Sequence, residues 1–139
     1  MRRYLILTAL AAAMLGAVAI WWLIFYRGDE SLAAYGAAQA NWRLVEIDGQ
    51  PFNARATLDF TDEGALSGQA PCNTYSGKQS APYPWFTAEN IVVTQMACVD
   101  LAAETAYFEA LTAMTLSEVS GGTLILSSYE GREMVFTAQ

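Results

Sequence analysis

From Tyr4 to Tyr26 the chain carries no charged side chain. As a helix these 23 residues would reach about 34 Å, enough to cross a hydrocarbon core of ~30 Å with slight tilt. Arg2 and Arg3 precede the run. Tyr4 sits at its near end, and Trp21, Trp22 and Tyr26 gather at the far end, where amphipathic rings favour the headgroup layer. Residues 1–27 are therefore expected to form a single-pass transmembrane signal-anchor. By the positive-inside rule its N-terminus is cytoplasmic and all that follows lies outside.

The alternative is a cleaved secretory signal, with Ala38-Gln39-Ala40 as the cleavage-like site. Signal cores run ~7–15 residues, and this run is longer and separated from that site by Arg27, Asp29 and Glu30. Both readings export the remainder. No cysteine follows the run closely enough to accept a lipid. Ala9, Ala13 and Ala17 recur every four residues, a spacing that permits close helix approach but is also common in any membrane helix. Residues 28–40, rich in Ala, Gly and Ser, are expected as a linker, and 41–139 as one domain.

From Trp42 onward there are four basic and twelve acidic residues, a net charge of −8. Such a surface repels a phosphate backbone, so no nucleic-acid partner is expected, and an anionic lipid surface is disfavoured for the domain itself. The chain has no histidine. That excludes Ser/His/Asp and Cys/His catalysis and removes the commonest metal ligand, so no cofactor and no metal are expected.

Within the domain, Trp42 to Ile47 alternates apolar and polar residues as a half-buried strand does, and Asp48-Gly49 supplies a turn. Ala56 to Phe60 repeats the alternation, Thr61 to Gly64 turns, and Ala65 to Gly68 returns. Pro71 and the flanking glycines break the next strand into a loop that resumes at Tyr75-Ser76-Gly77. Residues 79–88 form a loop whose Tyr83, Trp85 and Phe86 cap the core. Asn90 to Gln95 is a strand. Asp100 is expected to N-cap a helix over Leu101 to Leu116, with Leu101, Thr105, Phe108, Leu111 and Thr115 on the sheet and Glu104 and Glu109 in water. Thr123 to Ser128 pairs with Arg132 to Phe136.

This order of motifs is Trp42-x-Leu44, Leu58-x-Phe60, Gly68 before Cys72-Asn73-x-Tyr75-x-Gly77, and Thr94-x-Met96-Ala97-Cys98 before a helix. It closes with Leu124-x-Leu126 and Val135-Phe136. It resembles the META domain family, that of the bacterial heat-shock protein HslJ, over about Asn41 to Thr137. The resemblance implies an α+β fold, a small curved antiparallel sheet like a half-open barrel packed with one helix. It also implies placement in the bacterial envelope, a stress-response or assembly role, and no enzymatic activity. Members have been linked to novobiocin resistance and, by fold, to pilot proteins of secretion systems. The family usually has Gly before the first Cys; here Pro71 stands there, fixing φ and removing an amide donor.

Outside the cytoplasm, the chain's two cysteines, Cys72 and Cys98, suggest a disulfide; the alternative is two thiols packed as small hydrophobes. Asn73 and Thr94 can bond a ligand or nearby backbone. Gly68, Tyr75, Gly77, Met96 and Ala97 complete the motif, expected to be structural. Asp59, Asp62 and Glu63 offer no spacing that selects a cation or an acid/base pair. Lys78, the chain's only lysine, lies near Ser76, though an exposed loop lysine is ordinary. Tyr75, Tyr83, Trp85 and Phe86 suggest core, or the lining of an apolar groove. The expected function is thus a non-enzymatic, inner-membrane-anchored protein with a periplasmic domain that meets an envelope partner. The alternative is a module binding lipid or another hydrophobic ligand.

Overall fold

The computed structural model describes residues 13–22, 30–60 and 64–139. Residues 13–22 are helical (α1) and exposed. The rest of the expected anchor lies outside the described residues, as do Asp62 and Glu63. No helix among the described residues is long and apolar enough to cross a membrane.

Among the described residues nine strands and one long helix follow: β1 (Trp42–Ile47), β2 (Gln50–Pro51), β3 (Thr57–Leu58), β4 (Ala65–Gln69), β5 (Thr74–Lys78), β6 (Glu89–Val93), α2 (Leu101–Ala113), β7 (Leu116–Ser120), β8 (Thr123–Ser127) and β9 (Glu133–Ala138). All strand pairs are antiparallel. One sheet runs β2-β1-β9-β8-β7, with β3 on the same side of β1 as β2, and the other runs β4-β5-β6. The two meet where Asp59 and Ser67 exchange backbone bonds, N to O at 2.8 and 3.0 Å. The fold is therefore α+β, as the resemblance implies, but split into two sheets that do not close into a barrel.

Local chemistry explains the turns. Asp48 and Gly49 both have positive φ, 51° and 75°, the pair that matches the twist of a two-residue hairpin between β1 and β2. The Asp48 carboxylate also accepts from Arg132 at 2.7 Å and from the Glu133 amide at 3.0 Å, tying this turn to the start of β9. The Arg132 guanidinium holds the exposed Asp48 carboxyl below its usual range.

The inward residues of both sheets and of α2 build one core. It includes Trp42, Leu44, Leu58, Leu66, Phe86, Tyr107, Leu111, Leu124, Leu126 and Phe136, each almost fully buried. Full burial of one such side chain contributes about 1.5–3 kcal/mol.

Three expectations are corrected here. Residues 30–40 are not a free tether. Leu32 and Ala37 are buried in the core, the Trp42 indole donates to the Ala37 carbonyl at 2.7 Å, and Tyr35 stacks on Tyr83 with centroids 4.2 Å apart. Their Ala/Gly/Ser content had concealed two apolar side chains that join the core.

The helix also ends three residues early, and its inward face keeps Leu111 and, in part, Phe108 as expected but not Leu101 or Thr105. Glu104, Tyr107, Ala110 and Leu111 are its buried residues, whereas Leu101 and Thr105 are exposed, and Asp100 makes no side-chain cap bond. Beyond it, Leu116–Ser120 is a strand pairing with β8, and its buried residue is Ser117 rather than an aliphatic one. Finally, Phe86 is buried as expected of a capping residue, but Trp85 is half exposed.

Candidate functional site

The motif residues converge on one buried carboxylate. Glu104, on the first turns of α2, is only 5% exposed. One of its oxygens accepts from the amides of Cys72 and Asn73, both at 2.9 Å, and the other from Asn73 Nδ2 at 2.7 Å. A carboxylate has just this kind of capacity, acceptor-only on both oxygens.

Asn73 spends everything it has. Besides Glu104, its Nδ2 donates to the Met96 carbonyl at 3.1 Å, and its Oδ1 accepts from the Met96 amide at 2.6 Å and the Thr94 hydroxyl at 2.9 Å. Its own carbonyl accepts from Ala70 at 2.7 Å. Thr94 in turn receives the Thr74 amide at 3.2 Å. Asn73 thus joins the β4–β5 turn to the segment after β6 and to α2, and no donor or acceptor of its side chain is left for a ligand.

Cys72 and Cys98 form a disulfide, with Cα atoms 5.6 Å apart. The thiol alternative is thereby set aside. Pro71 does not disturb the loop, because the donors used there are the flanking Ala70 and Cys72 amides. Ala97 and Met96 have exposed side chains; Met96 serves the motif through its backbone.

A second cluster lies on the other side of the β4–β5 turn. Tyr75 donates to the Thr57 carbonyl at 2.7 Å, the Tyr107 hydroxyl lies 3.4 Å from the same carbonyl, and the two hydroxyls share a short hydrogen bond. Burial pushes both hydroxyls well above the ordinary tyrosine range, Tyr75 further through Tyr107 beside it. Both hydroxyls are buried and held in hydrogen bonds.

Gly68 lets this cluster close. A Cβ built there would stand 2.0 Å from the Thr57 carbonyl oxygen and 2.8 Å from the Tyr75 hydroxyl. Gly77 plays a similar part, with a Cβ 2.5 Å from Ile91 Cδ1 and 2.9 Å from the Glu89 carbonyl. The first obstacle at Gly77 is a side-chain end that can turn away, whereas at Gly68 it is backbone. Gly68→Ala is therefore expected to lower stability by about 3 kcal/mol in urea unfolding, near the top of the usual overpacking range, and Gly77→Ala by less. Equal costs for the two would contradict this account.

The META domain family matches residues 35–139. The chain belongs to that family. Two solved structures share the fold of this META domain. One is an NMR structure of a protein from Burkholderia xenovorans, 24% identical with a TM-score of 0.60, covering 74% of this chain and 83% of that one. The other is a crystal structure of a DUF4847 family protein from Bacteroides vulgatus, 13% identical with a TM-score of 0.62, covering 77% and 97%. Comparison with curated proteins gives no match. The Cys-Asn and Met-Ala-Cys segments that carry the family resemblance are thus the two strands of one clasp closed over Glu104.

Grooves on the META domain do not gather the expected aromatic set. One of about 600 Å³ is lined by Asn41, Arg55, Thr57, Asp59, Gln69 and neighbours, with Tyr75 as its one aromatic residue. Another of about 280 Å³ lies over Thr74 to Ser76 and Val92 to Thr94. Tyr83 and Phe86 are occupied in packing, and neither lines these grooves. Among the described residues no cluster of three or more acidic or cysteine ligands is arranged to hold a metal. Ser76 and Lys78 both stand exposed on β5.

Glu104, Thr57 and Tyr107 are the residues that sequence reasoning missed. A glutamate in the first turns of a helix reads as solvated, and the signal that identifies it is the set of three donors 31 and 32 residues earlier, which no local pattern contains.

Proposed function

We propose that this protein is a non-enzymatic, membrane-anchored envelope protein whose META domain faces the periplasm and works as an interaction module in a stress or assembly role. The observation that carries the reading is the saturation of the motif. The side chains that chemistry would need, Asn73, Glu104, Tyr75 and Tyr107, are bonded to one another and to backbone in the interior. Function is therefore assigned to the outer surface and to location. The disulfide fits an oxidising compartment. Residues 13–22, helical with Met14, Leu15, Val18 and Ile20 exposed, fit insertion in lipid. For the alternative of a hydrophobic-ligand module, the larger groove is open and mostly polar-lined, and of the two grooves described only the smaller one, over Val92 and Val93, is mainly apolar.

Intact mass of protein extracted from native membranes, without reductant, tests anchor and compartment together. The expected mass retains residues 1–27 and rises by two hydrogens on reduction. A chain beginning at Asn41, or one carrying two free thiols, would overturn the reading.

A further inference from the structure

β6 is one of the terminal strands of the two sheets. β6 pairs with β5 on one side, and among the described residues no strand lies on the other. The register fixes which backbone groups face outward. Thr94 donates to the Thr74 carbonyl at 3.1 Å, and Ser76 lies opposite Val92, so Val92 bonds inward while the amide and carbonyl of Val93 and the carbonyl of Ile91 point away from β5, up to the register shift beside Asn90, whose φ is 51°.

Beside this edge runs an apolar ledge. Residues 94–102 are all exposed, and together with β6 they present Val92 (69% exposed), Met96 (63%), Val99 (98%) and Leu101 (52%) within ten residues of chain. Isolated exposed apolar residues are normal, but an apolar row along an open strand edge is what proteins usually cover or break with charge. Here Val99 and Leu101 are held outward while Asn73 and the disulfide fasten the backbone between them and β6.

Charge selects the occupant. The ledge ends in Glu89 and Asp100, and Asp100 does not spend its carboxylate on capping α2. Lys78, opposite Glu89, is the one basic residue in the sequence of β4, β5 and β6. A second copy would bring another domain of net charge −8 to this edge, and anionic lipid is repelled in the same way. We infer that the β6 edge and its ledge receive an extended, cationic polypeptide segment of a partner protein, which adds as a strand along Ile91 and Val93 and lays alternate apolar side chains over Val92 and Met96. The inference rests on the interaction-module reading and names its surface and partner class.

The test uses the full chain in neutral detergent with two fluorescent peptides of alternating sequence, Lys/Val and Glu/Val. The Lys/Val peptide is expected to bind, to move the Ile91 and Val93 amide resonances, and to weaken with salt, while the Glu/Val peptide does not bind. Val92→Lys and Met96→Lys, both at exposed positions that leave the core intact, are each expected to weaken binding about tenfold. Val93→Pro removes an outward donor without removing a bond to β5 and is expected to abolish strand addition. Equal binding of both peptides, or indifference to the two lysine variants, overturns the assignment. In cells, photo-crosslinks to protein from Glu118 on β7 but not from Val92 would also overturn it while leaving the module reading intact; no crosslinks from either position would remove both.

Discussion

Glu104→Ala is expected to destabilise the domain by about 4 kcal/mol in urea unfolding. The substitution strands three buried donors, the Cys72 and Asn73 amides and Asn73 Nδ2, and an unsatisfied buried polar group costs about 1–3 kcal/mol, offset in part if water enters. Against a typical total of about 5–15 kcal/mol, that change puts folding itself at risk. Glu104→Gln separates charge from geometry. Its amide oxygen can still accept from the two backbone donors, but its NH₂ group then faces the NH₂ group of Asn73, so an intermediate loss of about 2 kcal/mol is expected. Amide exchange at Cys72 and Asn73 should accelerate in both variants. If alanine costs under about 0.5 kcal/mol, the range of ordinary surface substitutions, Glu104 is not the anchor described.

The second large effect concerns the disulfide. Cys72 and Cys98 are 26 apart in sequence, and closing a loop of that length contributes about 3–4 kcal/mol by the chain-entropy model. Cys72→Ser with Cys98→Ser is expected to lose that amount and to raise amide exchange most in residues 94–100. Those residues are exposed and are tied to the rest of the domain by the Thr74 and Asn73 bonds and by the bridge. Because Glu104 and the bridge fasten the same loop, the triple variant is expected to depart from additivity. Unchanged stability on removing both cysteines would mean that Asn73 and Glu104 alone hold the loop.

What could be read in advance was whatever the chain decides locally. Asp48-Gly49 specifies its hairpin through two positive φ angles, and the pairing of β8 with β9 follows from alternation on either side of a glycine-containing turn. Cys72, Asn73 and Cys98 stood out by type and by family resemblance.

What stayed hidden depends on partners distant in sequence. The apolar period of α2 pointed to Leu101, yet the polar demand of the Cys72-Asn73 turn pulls Glu104 inward and rotates Leu101 out. Ser117 conceals β7 for a related reason, since its amide and hydroxyl bond Pro84, 33 residues back. The placement of Ala37 is likewise tied to Trp42, whose indole bonds its carbonyl, and not to the composition of its own stretch.

The segment from Thr94 to Cys98 combines two properties that seldom occur together. Its residues are exposed, yet it is pinned through the Thr94 and Cys98 side chains and through the Met96 backbone. An exposed loop ordinarily loses conformational freedom when a partner settles on it, at about 1–2 kcal/mol per residue immobilised. In this segment that loss has already been incurred on folding, so a partner meets a surface set in advance. Association there should proceed as the docking of a flexible strand onto a rigid template, with the ordering confined to the incoming chain.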